Sequence, residues 1–112
     1  MLISPDDVPE VDAPEDAVVM RQLVRRDAHG GDVSMTWVRL HGRHRRLRTD
    51  RSTRVYYVLD GAASFVVGDE RFEARAGEVV VVPVSTPYEF RGEATYLVIN
   101  GPAFADGDDV YD

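Results

Sequence analysis

The stretch GRHRRLRTDRSTRVYYVLDG, residues 42–61, decides the fold when read with GEVVVVPVSTPYEFRG, residues 77–92. In the first, Gly42 and Gly61 bracket three charged residues in the pattern G-x5-R-x-D-x3-R-x6-G, the charges being Arg48, Asp50 and Arg54. In the second, Gly77 opens G-x5-P-x-S-x2-Y, which places Pro83, Ser85 and Tyr88, and Gly92 follows. Each stretch carries a run of β-branched and aromatic residues. Val55 to Leu59 ends at Asp60-Gly61, a hairpin signal. Val79 to Val82 is stopped by Pro83, which cannot donate to a sheet ladder.

Working outward, Val18 to Val24, Val33 to Leu40, Ala63 to Val67, Arg71 to Ala74, Tyr88 to Phe90 and Ala94 to Ile99 read as further strands. His29-Gly30-Gly31-Asp32 and Gly68-Asp69-Glu70 read as turns. Arg43 to Arg54 reads as a long basic loop. No segment holds a 3.6-residue apolar period over ten or more residues. Short strands at regular spacing with Gly and Pro between them predict an all-β sandwich or small barrel.

The register of these glycines and of Pro83 resembles the two signature motifs of the cupin family, G-x5-H-x-H-x3-E-x6-G and G-x5-P-x-G-x2-H-x3-N. The likeness spans about residues 33–100. It implies a small double-stranded β-helix, a jelly-roll-like barrel, over 18–105. An acidic extended arm (1–17) precedes this span and an acidic tail (106–112), expected to fray, follows it. The departures fall on the ligand positions: Arg48, Asp50 and Arg54 stand where the first motif has its ligands, and Tyr88 replaces the histidine of the second. Ser85 replaces a glycine and Gly92 an asparagine. The resemblance implies that these four side chains converge inside the barrel. Guanidinium groups have no lone pair to give a divalent cation, so neither metal nor cofactor is expected there.

The replacements have their own chemistry. Two inward arginines attract a small anion, which Arg recognises bidentately, unless Asp50 and an arginine form a buried pair that plugs the site. Asp50 is the candidate base and Tyr88 the candidate proton donor, with Arg48 and Arg54 as substrate-binding groups that stabilise an oxyanion. If Arg54 faces inward, strand alternation sends Tyr56 inward as well. Tyr56, Trp37 and Phe90 are candidate pocket walls, and ordinary core packing is the competing reading for Phe90. His29, His41 and His44 are either exposed or, for His41 and His44 with Asp50, an offset metal site.

Composition sets the boundaries. The chain has 112 residues, enough for one small domain, with 44% hydrophobic residues and no cysteine, which excludes disulfides and thiolate chemistry. All 13 basic residues are arginine and the net charge is −7, which disfavours nucleic acid and anionic membranes as partners. The basic run Arg43–Arg54 has three readings: a solvated loop, a dock for an acidic arm, or a nucleic-acid patch, the last opposed by the net charge and the lack of interleaved aromatics. With no signal peptide and no long apolar run, a cytoplasmic protein is expected. Val55–Leu59 and Val79–Val82 are apolar on both faces, which predicts that a second copy covers one face in a homodimer. The leading function is a metal-independent enzyme, an isomerase, cyclase or lyase, acting on a small anionic or carbonyl-bearing molecule. The alternatives are a noncatalytic small-molecule-binding or sensor protein and a metalloenzyme with displaced histidine ligands.

Overall fold

The computed structural model describes residues 1–112. Two 3₁₀ turns, Pro5–Asp7 and Pro14–Asp16, flank strand β1 (Val11–Ala13), and both begin at a proline, whose fixed φ suits a first helical position. Strand β2 (Val18–Val24) and a single helical turn, α1 (Arg26–His29), follow. The remaining strands are β3 (Ser34–Thr49), β4 (Thr53–Val67), β5 (Glu70–Arg75), β6 (Val79–Val82), β7 (Tyr88–Gly101) and β8 (Asp109–Tyr111). All pairings are antiparallel: β1-β2-β3-β7-β4-β5 runs in order, with β6 on β4 and β8 on β3. No helix is long and apolar enough to cross a membrane.

The three long strands carry the fold, and the motif glycines make them bend. Gly42 lies opposite Gly92 in β3 and β7, and Gly92 lies opposite Ala63 of β4, so only small residues occupy this row, while Gly61 of β4 lies opposite Ala94. Gly61 has φ 75° and Gly92 φ 150°, a region that L side chains avoid. A Cβ on Gly61 would lie 2.1 Å from the Glu93 carbonyl oxygen, and one on Gly92 would lie 2.4 Å from that of Ala62. The backbones therefore approach too closely for any side chain. Asp60-Gly61 consequently ends no strand. It follows a bulge between Val58 and Asp60, and β4 continues through it.

The expected basic loop is likewise mostly strand, since Arg43–Thr49 belongs to β3 and only Asp50–Ser52 connects to β4. Its arginines are bound to acids, largely those of the chain's own ends. Arg45 pairs with Asp16, Arg46 with Asp112, Arg51 with Asp108 and Arg54 with Asp109. Residues 109–111 do not fray as the sequence suggests, because they pair with Leu47–Thr49. The exposed pairs among these contribute little singly, whereas Asp16 and Arg54 are buried. Together the pairs set where the two acidic ends lie.

Alternation does the rest. On β4, Arg54, Tyr56 and Val58 are buried while Tyr57 and Leu59 are exposed. On β6, Val80 and Val82 are buried and Val79 and Val81 exposed. The core holds a cluster of rings in which Phe65 stacks on Phe90 at 4.7 Å and Tyr56 meets Phe65, Phe90 and Tyr96 edge-on at 5.6, 5.3 and 5.2 Å.

Candidate functional site

A cavity of about 240 Å³ is lined by residues that include Asp16 and Tyr111. His44 of β3, Arg54 and Tyr56 of β4, Tyr96 and Asn100 of β7 and Asp109 of β8 supply its chemistry. These residues come from four strands, and alternation aims each one inward.

Arg54 is 5% exposed and uses three nitrogens. Nε donates to Asn100 Oδ1 at 2.6 Å, Nη1 to the Tyr88 oxygen at 2.8 Å and Nη2 to Asp109 Oδ1 at 2.8 Å. Burial opposes its charge, but the Tyr88 and Tyr56 oxygens and Asp109 outweigh that and hold the guanidinium protonated. The Tyr88 and Tyr56 oxygens are 2.6 Å apart. Tyr88 already accepts from Arg54, and a buried phenolic proton without a partner is costly. The satisfied arrangement has Tyr88 donating to Tyr56, which frees the Tyr56 proton for the cavity. Burial raises both phenols above their ordinary pKa, so each is a neutral donor at physiological pH.

His44 completes the site. Its ring stacks on Phe90 at 4.7 Å, and the same Phe90 ring supports Tyr56. Nδ1 lies 2.9 Å from the Arg45 carbonyl oxygen, which accepts a proton and cannot give one, so Nδ1 carries the hydrogen. Nε2 makes no hydrogen bond within the protein and is left as a lone pair. Burial lowers the pKa of His44, against the opposing pull of the Arg45 carbonyl and Asp16. The imidazole is therefore neutral at pH 7. Burial acts to raise Asp16, yet its hydrogen bonds from Arg45, with His44 nearby, bring it below the usual value.

Four of the expected site residues meet here or just beneath: Arg54, Tyr56 and Tyr88 form the relay, and Phe90 is the buried ring under it. Arg48 and Asp50 do not join them. They pair with each other at 3.1 Å on the outside, where Asp50 is 52% exposed. The cause is a bulge in β3: His44 opposes Phe90 and Leu47 opposes Tyr88, so three steps on β3 match two on β7. One extra residue reverses the facing of everything after it. Leu47 and Thr49 turn inward, and Arg48 and Asp50 turn out. Asp50 is thus not at the centre as a base. The anion expected from two inward arginines loses its basis too, because the single one that faces the cavity already has a carboxylate.

Trp37 also lies outside. It pairs across from Leu97, on the face opposite the buried Val38 and Leu40, with Arg21 and Arg39 over its ring at 5.9 and 5.8 Å. His41 is exposed against Glu93, His29 bonds the Arg25 backbone, and no three His, Asp or Glu side chains are grouped to hold a metal. His41, His44 and Asp50 therefore do not form an offset site. At the family's ligand positions the donors do not fit a cation either, since Arg54 fills the centre. Sequence reading missed the role of His44 and Asp109. The signal for His44 was its inward parity from Val38 and Leu40, and nothing in the sequence pointed to Asp109.

No curated protein matches the chain. Among solved structures, the Streptomyces protein Pac13, described as a nucleoside dehydratase, aligns with TM-score 0.86 and 18% identity over 100% of this chain and 90% of its own. Uridine complexes of its tyrosine-to-phenylalanine and histidine-to-glutamine variants align equally well. A protein from Planctomyces limnophilus aligns at TM-score 0.87 and 22% identity, covering 99% and 96%. KdgF from Halomonas sp. aligns at 0.83 and 15%, covering 95% and 96%. These likenesses establish the double-stranded β-helix barrel. The cupin-domain profile matches residues 37–100, more than half of the chain and both glycine-bracketed stretches, and the chain belongs to the cupin family.

Proposed function

We propose that this cupin is an acid/base enzyme of the lyase or isomerase type, acting without a metal on a small, uncharged, hydroxyl-bearing molecule such as a nucleoside or sugar. The observation that carries the proposal is the pairing of a buried neutral imidazole, whose Nε2 lone pair is unused, with a phenol whose proton is free. Both are held against Phe90 in one cavity. In the elimination, His44 Nε2 removes a proton from carbon and the electron pair forms the new double bond. The hydroxyl on the adjacent carbon departs with its bonding pair. Tyr56 donates a hydrogen bond to that oxygen. The imidazolium formed is the strongest acid present and delivers the proton that turns the leaving hydroxide into water. The enzyme ends as it began. Uridine in the Streptomyces neighbour and that protein's dehydratase activity support this class of ligand and reaction.

The test is a thermal-shift screen of neutral nucleosides and sugars, followed by mass spectrometry for products that have lost one water. His44→Gln and Tyr56→Phe should each reduce turnover by about 10²-fold or more with the fold intact. Asp50→Asn should retain activity. Full turnover by His44→Gln would remove the base from the mechanism, and a ligand that binds but is never converted would favour the noncatalytic reading.

The assembly we propose is a homodimer through the outer sheet face. Tyr57, Leu59, Val79 and Val81 are 40%, 42%, 53% and 56% exposed there. Val79 lies opposite Tyr57, and Tyr57 opposite Leu97, so the apolar surface is contiguous rather than scattered. Light scattering on the wild type and on Val81→Glu tests it: the variant should be monomeric, and a monomeric wild type would overturn it.

A further inference from the structure

We infer that Asp109, delivered by the C-terminal strand, sets the charge of the cavity and makes the site select uncharged ligands over carboxylate-bearing ones. The inference rests on the reading of this cavity as the ligand site. Arg54 is the only permanently charged base in it, and its three partners are not equivalent. Asn100 and Tyr88 are neutral, buried and part of β7. Asp109 is the one anion, 22% exposed on its side chain and carried by β8 rather than by the three long strands. With Asp109 in place the Arg54 charge is cancelled. The remaining acids at the cavity, Asp16 and Glu15, add no attraction for an anion, and Arg45 is engaged by Asp16 at 2.9 Å. A ligand carboxylate approaching Arg54 would meet the Asp109 carboxylate first, and two like charges sharing one guanidinium repel.

The structure also shows how Asp109 is kept there. Strand β8 lies along Leu47–Thr49 of β3. On one side of Asp109, Asp108 takes Arg51 at 2.8 Å. On the other, Asp112 takes Arg46 at 2.7 Å. Tyr111 reaches Asp16 at 3.3 Å and lies under Arg45, whose guanidinium carbon is 3.9 Å from the ring centre. The acidic tail is thus fastened on both sides of the residue that meets Arg54. This gives the unusual distribution of charge in the sequence a purpose: basic strand and acidic end meet so that one carboxylate is presented inside the barrel.

The experiment follows the His44 and Tyr56 ring resonances by NMR while acetate or uridine is titrated into the wild type, Asp109→Asn, Asp109→Ser and, as a control at an exposed acid of the same tail that holds no arginine, Asp106→Asn. Asparagine keeps an oxygen for Arg54 Nη2 and removes only the charge. Acetate should leave the wild type and Asp106→Asn unmoved and bind Asp109→Asn or Asp109→Ser at least about tenfold more tightly, as expected for a charge-assisted pair regained. Two results overturn the inference: acetate moving these resonances in the wild type, which needs no variant, or acetate binding no more tightly to the folded variants. Failure of the nucleoside reading looks different. Uridine would then leave the wild-type resonances in place whatever acetate does.

Discussion

Replacing Tyr88 by phenylalanine isolates the hydrogen-bond relay from the packing around it. The ring is fully buried and stacks parallel to Phe90 at 6.0 Å, and phenylalanine preserves that contact. Only the hydroxyl is lost, and with it the bond from Arg54 Nη1 at 2.8 Å and the one shared with Tyr56 at 2.6 Å. A hydrogen bond to a charged group contributes about 1.5–3 kcal/mol and a neutral one about 1 kcal/mol. Phenylalanine offers no acceptor in place of the buried hydroxyl, so one Arg54 donor loses its partner. The expected loss is about 3 kcal/mol, or a melting temperature lower by about 10 °C for a domain of this size. Urea unfolding at fixed protein concentration measures it, with an unchanged slope showing that the native state stays compact. A double-mutant cycle with Tyr56→Phe should give a coupling of about 1 kcal/mol, because the two hydroxyls share one bond. A loss below about 0.5 kcal/mol would refute the reasoning, since it would mean that the relay is not made in the folded protein.

Stability should fall on mild acidification in a manner that His44→Gln removes. The folded pKa of His44 lies below 6.5, so its contribution is complete above that value. As pH falls below 6.5 the unfolded chain binds the proton first, and stability declines until the folded pKa is passed. Asp16 acts at lower pH: its pKa is depressed from 3.8, so its contribution holds above 3.8 and is lost as pH drops through the folded value. Thermal melts of wild type and His44→Gln across this range check both, and parallel curves would contradict the assignment of His44. The glycines separate by cause. Gly77→Ala at φ 89° meets no atom within 4 Å and should cost only about 1–2 kcal/mol of backbone strain. Gly61→Ala places its Cβ 2.1 Å from a backbone oxygen and should cost more than that or prevent folding. Equal effects would show that close strand approach is not what requires Gly61.

The architecture was legible because it depends on local signals. Prolines, glycines at fixed spacing and runs of valine and tyrosine restrict the backbone whatever surrounds them, and alternation correctly placed Arg54 and Tyr56 on one face. The errors share one origin. Asp60-Gly61 reads as a turn from local preference, yet β4 runs on through it beside β7, and only that pairing shows that the glycine serves a bulge and a close backbone approach. The family resemblance implies that Arg48 and Asp50 point inward. The bulge beyond His44 reverses that facing, and its own residues, Arg45 and Arg46, look like any exposed basic pair. Asp109 lies 55 residues from Arg54 in the chain, in a tail whose composition suggests fraying.

The sequence by itself determined the barrel, most of its strands, the absence of the family's usual ligands at their motif positions and the shared facing of Arg54 and Tyr56, because each follows from backbone preference, side-chain alternation or the chemistry of a single residue. Tertiary structure decided which side chains meet in the cavity and which of their protons and lone pairs are left over. His44 becomes a lone-pair acceptor only where the Arg45 carbonyl takes its other proton, Tyr56 a free donor only where Tyr88 and Arg54 occupy its oxygen, and Arg54 a neutralised group only where the acidic tail returns to it. These are properties of groups brought together from distant positions in a place that excludes water, where unpaired protons and charges are costly, and linear spacing carries no record of them.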